Sequence, residues 1–354
     1  MPRSTPNFFS IPQQRRFRKS LLAWYDEHAR DLPWRANRDP YRVWLSEIML
    51  QQTRVAAVIE HYQEFLRRFP TVEKLAAARE ACVLAAWSGL GYYRRARMLH
   101  AAAKGIAREH GGKFPATVEG LRELPGIGRY TAAAIASIAF GEPVAVVDGN
   151  VERVLQRVAG RRLTGEELWE AANDLLDATR PGDFNQAMME LGAVVCTPRA
   201  PACLTCPVIA LCATRGELAA LPKPAPQKKC EIDYALNYRN GNGREREVFL
   251  VQRARDASLM AGMWELPELA KTNRASSPLF KLRHSITVTD YTVRVWRGAA
   301  SPVTRGKWIP VGRLTQVALT GLARKILRKA DLLRRRNLGK PASPAAACSP
   351  HHLE

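Results

Sequence analysis

The sequence predicts a multidomain protein: an all-α domain over residues 17–215, then a small α+β domain over residues 231–333. Three observations carry this. The chain has 354 residues, more than one core commonly serves. From Phe17 to the neighbourhood of Val195, apolar residues recur at helical spacing. After the extended, Pro-rich stretch Leu221-Pro-Lys-Pro-Ala-Pro-Gln-Lys-Lys229, the period changes to the alternation of β-strands. Residues 1–16 are expected to be a flexible leader, 216–230 a linker and 334–354 a disordered basic tail.

In the first domain, the stripe Leu21, Leu22, Trp24 and Tyr25 marks a helix beginning at Phe17. Pro33 breaks the pattern within Asp31-Leu-Pro-Trp-Arg35. The stretch from Pro40 to Thr53 then reads as a largely buried helix, with Glu47 among Val43, Trp44, Ile48 and Leu50. Thr53 is expected to cap a further helix running to Phe69. Shorter helices follow over 71–110, broken at Ser88-Gly-Leu-Gly-Tyr-Tyr93 and followed by Arg94, Arg95 and Arg97. Leu124-Pro-Gly-Ile-Gly128 is a tight turn before a helix of Ala and Ile from Tyr130 to Phe140. Asp148 stands at the N-cap position of the next helix, Val151 to Val158. Helices over Glu166–Thr179 and Phe184–Val195 lead into a cysteine-rich loop. In the second domain, Tyr234–Tyr238, Val248–Gln252 and Tyr291–Trp296 read as strands, and Leu314–Leu333 as one helix.

Charge narrows the class of partner. Lys and Arg number 54 against 33 Asp and Glu, a net +21. That excess suits a polyanion, nucleic acid before membrane. No apolar run reaches the roughly 18 residues that would span a bilayer, so no membrane partner is expected. The polar, basic stretch Met1–Arg18 has no apolar core of a secretion signal. With clustered cysteines, the expectation is a reducing cytosol and a cytoplasmic, nucleoid-associated protein of bacterial type.

The cysteine cluster is Cys196, Cys203, Cys206 and Cys212, spaced C-x6-C-x2-C-x5-C. Four thiolates so close in sequence suggest one metal centre. A disulfide framework suits small secreted domains and is set aside. Structural zinc commonly uses two C-x2-C pairs, and only one is here; spacing alone leaves zinc and iron–sulfur both open. The turn at Gly126 and Gly128 has the character of a helix–hairpin–helix motif. Its glycines let the backbone approach a phosphate, and the N–H groups opening the next helix can bind it. Two carboxylates stand out. Asp148 faces a helix N-terminus, which favours its ionised form, although Asp is also a common structural cap. Glu47, buried in an apolar helix, should stay protonated near neutrality. One protonated acid and one carboxylate is the pairing that cleaves a glycosidic bond through an oxocarbenium-like transition state.

Residues 17–215 resemble the helix–hairpin–helix DNA glycosylases that carry an iron–sulfur cluster, and more closely the adenine DNA glycosylases of the MutY type. The resemblance rests on Leu32-Pro-Trp-Arg35, Ser46–Thr53, Leu124–Thr131, Val147-Asp-Gly-Asn-Val151, Glu190-Leu-Gly-Ala193 and the cysteine spacing. It implies a monofunctional glycosylase that removes adenine mispaired with 8-oxoguanine or guanine in double-stranded DNA, acting as a monomer. Relatives that cleave the strand carry a Schiff-base lysine just after the hairpin; here that position is Tyr130. The resemblance further implies that Glu47 protonates N7 of the extruded adenine and Asp148 stabilises the sugar cation. Asn150 and Tyr130 position the reacting groups, Trp34, Arg35 and Glu190 line the base pocket, and Gln52 wedges into the duplex. Cys196, Cys203, Cys206 and Cys212 bind a [4Fe-4S] cluster that braces a loop carrying Arg199. Removal of another base, such as thymine opposite guanine, and DNA binding without catalysis are the competing readings.

The second domain resembles the Nudix-like domain with which such glycosylases read 8-oxoguanine, on Val248–Arg253 and Ala261–Pro267. It lacks the glutamate-rich box of a Nudix hydrolase, so no pyrophosphatase activity is expected. The lesion-reading motif of the family, Phe-Ser-His, corresponds here to His284-Ser285-Ile286. Ser285 is retained and the histidine is displaced.

Overall fold

A computed structural model describes residues 8–219, 228–241, 245–270, 277–286, 289–298 and 305–333. The expected tail over 334–354, the first seven residues of the expected leader and 220–227 of the linker lie outside these. The helices are α1 Ile11–His28, α2 Pro40–Leu50, α3 Val55–Arg68, α4 Val72–Ala76, α5 Glu80–Trp87, α6 Arg94–Glu109, α7 Val118–Arg122, α8 Arg129–Phe140, α9 Gly149–Ala159, α10 Gly165–Leu175 and α11 Pro181–Val194. The strands are β1 Lys228–Leu236, β2 Tyr238–Asn240, β3 Arg246–Gln252, β4 Trp264–Glu265, β5 Glu268–Leu269, β6 Phe280–Ile286, β7 Thr289–Arg297 and β8 Gly306–Pro310, followed by α12 Gly321–Lys329. Among the described residues, no helix is long and apolar enough to cross a membrane.

Contacts divide the chain into two compact units. One comprises Met1–Gln63, Thr71–Glu73 and Ala101–Pro222; the other comprises Glu64–Pro70, Lys74–His100 and Lys223–Glu354. The core of the first unit is built by the inward faces of α1, α9, α10 and α11. Phe17, Leu21, Val154, Leu155, Ala171, Leu175, Phe184 and Leu191 meet there. Helix α1 starts at Ile11, six residues before Phe17, so the leader is shorter than expected. The reason is local. Gln13 Oε1 accepts the Ser10 N–H at 2.9 Å, Gln14 Nε2 donates to the Phe9 carbonyl at 2.9 Å, and Phe9 is buried. Likewise α3 begins at Val55, one residue beyond what a Thr53 cap requires, and the Thr53 hydroxyl instead donates to the Gln51 carbonyl at 3.3 Å.

The second unit holds two sheets. One has the order β5-β1-β7-β6; in the other, β3 takes β2, β4 and β8 as antiparallel partners. β1 and β7 run parallel over Lys228↔Thr289 to Leu236↔Arg297. Between the sheets and α12 lie Tyr234, Leu236, Val248, Leu250, Val293, Val295, Leu322 and Ile326. The single helix expected over 314–333 is interrupted. A 3-10 turn at Val311–Gln316 is followed by an extended Ala318–Leu319, and Trp264 bonds to it through its N–H to Ala318 O and its carbonyl from Thr320 N, both at 2.9 Å. Thr320 Oγ1 then caps α12 by accepting the Ala323 N–H at 3.1 Å. Backbone pairing to a distant strand overrides helical periodicity here.

Residues 74–100 belong to this second unit, although the sequence places them in the helical domain. The buried Ser88 hydroxyl donates to Leu319 O at 2.8 Å and accepts from Arg324 Nε at 3.1 Å, and Tyr93 OH donates to the same carbonyl at 3.0 Å.

Candidate active site

Helix α2 starts with Pro40 at its first position and Asp39 as cap, whose carboxylate accepts the Arg42 N–H at 2.9 Å. From that start, Glu47 falls on the buried face and is only 6% exposed. Opposite it comes the turn before α8. Leu124 and Ile127 are buried and pin the turn, while Gly126 takes φ 78°, where a side chain is strained. Gly128 has extended backbone and caps α8. The first turn of α8 thereby delivers Tyr130, whose hydroxyl donates to Glu47 Oε2 at 2.5 Å. Burial, with the charge of Asp148 adding to it, pushes the Glu47 carboxyl up to about 7 against the Tyr130 bond and the Arg35 charge. Burial, then the charges of Glu47 and Asp148, raise the Tyr130 phenol as well, so it remains a donor.

Asp148 caps α9. Its Oδ1 accepts the N–H groups of Asn150 at 2.9 Å and Val151 at 2.8 Å, and its Oδ2 accepts Asn150 Nδ2 at 2.9 Å. Asn150 is itself oriented. Its Oδ1 accepts Arg153 Nη2 at 2.8 Å, so its amide nitrogen must face Asp148. Arg153 also donates to Gly192 O at 2.7 Å and to Cys196 O at 2.7 Å. A Cβ on Gly192 would lie 2.6 Å from Asn150 Cβ, so α11 can pass the site only with glycine there. Upstream, buried Asn185 accepts the Val146 N–H at 3.1 Å and donates to Val144 O at 2.8 Å and Ser137 Oγ at 2.9 Å. It fixes the segment that enters Asp148. Sequence reasoning missed Asn185 and Arg153; neither stands in a motif, and each also makes contacts 39 or more residues away in the chain.

Of the residues expected to line a base pocket, three are brought near one another. Trp34 is buried, edge-on to Tyr62 with ring centroids 5.5 Å apart. Glu190 is 1% exposed and accepts from Arg35 Nη2 at 2.8 Å and from Arg30 Nε and Nη2 at 2.5 and 2.8 Å. Burial alone would raise the Glu190 carboxyl; the two guanidinium groups outweigh it and hold it below its usual range. Arg30 is the partner that the sequence did not single out. Gln52, just after α2, is exposed and holds φ 56°, a conformation that a non-glycine residue rarely adopts.

Two of the four cysteines, Cys196 and Cys212, contact Arg157 of α9. Cys196 Sγ accepts Arg157 Nη1 at 3.2 Å, and Cys212 Sγ contacts Arg157 O at 3.3 Å. Burial pushes the Cys206 thiol up to about 11, with Cys196, Cys212 and Cys203 adding to the rise in that order. Among the described residues, no group of three or more His, Cys, Asp or Glu is arranged to hold a metal ion. Arg199 lies on this loop and is exposed. In the second unit, Ser285 is exposed on β6 and pairs in register with Asp290 of β7, to whose carboxylate its hydroxyl donates. His284 points to the opposite face, against Gly321 of α12, where burial and then Lys325 lower its pKa.

A helical fold with a hairpin, an acid and a carboxylate on facing elements defines a base-excision type of architecture. Residues 45–176 match the family model described as HhH-GPD superfamily base excision DNA repair protein. The human adenine DNA glycosylase is 50% identical over 322 residues, covering 74% of this chain and 59% of that protein. The mouse enzyme is 41% identical, with 74% and 62% covered, and that of Schizosaccharomyces pombe is 32% identical, with 72% and 69% covered. A solved thermostable thymine-DNA glycosylase is 31% identical, covers 58% of this chain and 97% of its own, and aligns with a TM-score of 0.55. An endonuclease III–DNA covalent intermediate shares the fold at 23% identity and a TM-score of 0.52. The chain belongs to the adenine DNA glycosylase family within the HhH-GPD superfamily. It spans about three-fifths of the length of the mammalian relatives.

Proposed function

We propose that the protein is a monofunctional adenine DNA glycosylase acting on adenine opposite 8-oxoguanine or guanine in duplex DNA. The observation that carries this is the buried Glu47, with its carboxyl pushed up to about 7, close enough to Asp148 to feel its charge. A protonated Glu47 gives its proton to N7 of the extruded adenine. The C1′–N9 bond then breaks, with its electrons leaving on the base. Asp148, held by three N–H groups, stabilises or bonds transiently to C1′ until water adds there. Tyr130 orients Glu47 and Asn150 orients Asp148. Trp34, Arg35 and Glu190, with Arg30, would receive the base. Gln52 would enter the space that it leaves, and Gly126 and Gly128 would let the backbone meet a phosphate. With tyrosine at position 130 there is no amine to form a Schiff base, so the strand stays intact.

The donor chemistry of the loop fits a [4Fe-4S] cluster held by Cys196, Cys203, Cys206 and Cys212: four half-buried free thiols, with the other three acting on Cys206. The cluster would supply rigidity to the loop carrying Arg199. Purified protein should contain about four irons per chain by the stoichiometry of such a cluster and absorb broadly near roughly 400 nm; zinc in its place would sink this part. The second unit would be Nudix-like and read the lesion through Ser285, without pyrophosphatase activity. An excision panel tests the whole reading: adenine opposite 8-oxoguanine, guanine and cytosine, and thymine opposite guanine. Adenine release from the first two supports it. Release of thymine alone, or of nothing while DNA is still bound, overturns it.

A further inference from the structure

Arg157, near the end of α9, is a buried charge with an unusual set of partners. It is only 5% exposed. Its guanidinium donates to Cys196 Sγ at 3.2 Å, to Thr197 O at 2.8 Å and to Pro198 O at 3.1 Å, and among the described residues it pairs with no carboxylate. Arg35, in the same unit, shows the ordinary solution, an ion pair with Glu190 at 2.8 Å. A second guanidinium, that of Arg153, lies close enough to Arg157 for each to repel the other. Arginine cannot shed its proton, and a buried charge is costly unless an opposite charge meets it. The side chain that Arg157 faces in place of a carboxylate is a cysteine. Four thiolates carry four negative charges, of which an iron–sulfur core offsets only part.

The backbone of the same residue holds the other end of the loop. Arg157 O accepts the Thr214 N–H at 3.1 Å and the Thr214 hydroxyl at 2.8 Å, and Cys212 Sγ lies 3.3 Å from it. The Ala213 N–H donates to the next carbonyl, Val158 O, at 3.1 Å. One residue therefore grips the loop just after Cys196 with its side chain and just after Cys212 with its main chain. We propose that Arg157 is the counter-cation of the cluster: its N–H on Cys196 Sγ raises the reduction potential, and its two attachments keep the loop closed. This rests on the reading that the four cysteines hold a [4Fe-4S] cluster. Reduction adds one electron and makes the cluster more negative. A fixed positive charge and an N–H···S bond stabilise that state more than the oxidised one, and so raise the potential. Burial keeps water from screening the effect.

The test uses the full chain purified with its cluster, as wild type, Arg157→Gln, Arg157→Lys and Thr214→Val. Three quantities are read: iron per chain, the one-electron potential by protein-film voltammetry on a carbon electrode, and the rate of iron release to a chelator. Glutamine is neutral but can still donate to the loop. Arg157→Gln should lower the potential by about 59 mV, which is a tenfold change in the reduced-to-oxidised equilibrium for one electron. Arg157→Lys keeps the charge on a shorter stem without the planar fork, and should give a smaller fall. Thr214→Val removes a hydrogen bond to Arg157 O and leaves the charge in place. It should speed iron release and leave the potential where it is. If Arg157→Gln cannot be isolated with iron, the smaller fall in Arg157→Lys decides, and its absence overturns the role of Arg157. A purely structural arginine would speed iron release in all three variants with every potential at the wild-type value, which also overturns it. A wild type that holds zinc, or no metal, sinks the cluster reading and this role together. Wild type with iron and potentials that do not move sinks the role alone. None of the three readouts depends on whether adenine is excised.

Discussion

Glu47 offers a prediction in which stability and catalysis have opposite signs. Its ordinary value is 4.5 and its folded value about 7, a difference of 2.5 from these two figures. At about 1.4 kcal/mol per pH unit of displacement, this amounts to about 3 kcal/mol. The folded pKa is raised, so the folded protein holds the proton more tightly than the unfolded chain does. The stabilising contribution is whole below about pH 4.5 and is lost as pH rises through about 7. Glutamine cannot ionise and keeps a similar shape. Glu47→Gln should therefore remove this pH dependence and stabilise the first unit relative to wild type at pH 8, by up to about 3 kcal/mol. Excision by the same variant should fall by about a hundredfold or more, the usual range for loss of a general acid. The assay is a series of urea unfolding midpoints between pH 4 and 8, followed by a probe in the first unit, together with single-turnover adenine release. Parallel midpoint curves for wild type and variant would refute the buried, protonated acid. So would full excision by the glutamine variant.

Other consequences follow from neighbouring contacts. The Tyr130 hydroxyl opposes the rise in the Glu47 pKa, so Tyr130→Phe should move the alkaline limb of the excision profile to higher pH; a limb that stays put or moves down contradicts the assignment. Gly192→Ala would put a methyl into Asn150, and should reduce excision while leaving the iron content measured by colorimetry unchanged. Thr320→Ala removes the cap of α12 and should destabilise the second unit by about 1 kcal/mol in thermal denaturation, with no change in the excision rate of molecules that remain folded.

Much of the helical unit was legible because its chemistry sits at positions that local rules mark. Asp148 stands before a run of helical periodicity, and an N-cap is found there. Glu47 lies among residues whose spacing demands burial, and burial follows. The turn at Gly126 needs a left-handed residue, which glycine announces. What the sequence hid is nonlocal. Asn185 and Arg153 are ordinary polar residues until the fold brings Asn185 to the segment before Asp148 and Arg153 to the carbonyls of Gly192 and Cys196. Arg30 gives no signal before Glu190 is known to be buried beside it. Residues 74–100 are tied to the second unit by contacts far away in the chain, among them the hydrogen bonds of Ser88 and Tyr93 to Leu319 and of Arg97 to Ala261. The helix expected over 314–333 failed for the same kind of reason: its middle pairs with Trp264, and apolar periodicity carries no trace of that.

The central claim is that a carboxylate at Asp148 and a protonated Glu47 together break the bond between adenine and its sugar. Single-turnover excision from a duplex with adenine opposite 8-oxoguanine, comparing wild type with Asp148→Asn, addresses it most directly. Asparagine can still accept an N–H at the head of α9, so the variant should fold and bind the duplex. Wild type should release free adenine and leave a strand that breaks only after alkali, and Asp148→Asn should release none on the same timescale. Equal release by both proteins, or a strand cut without alkali, would contradict the account.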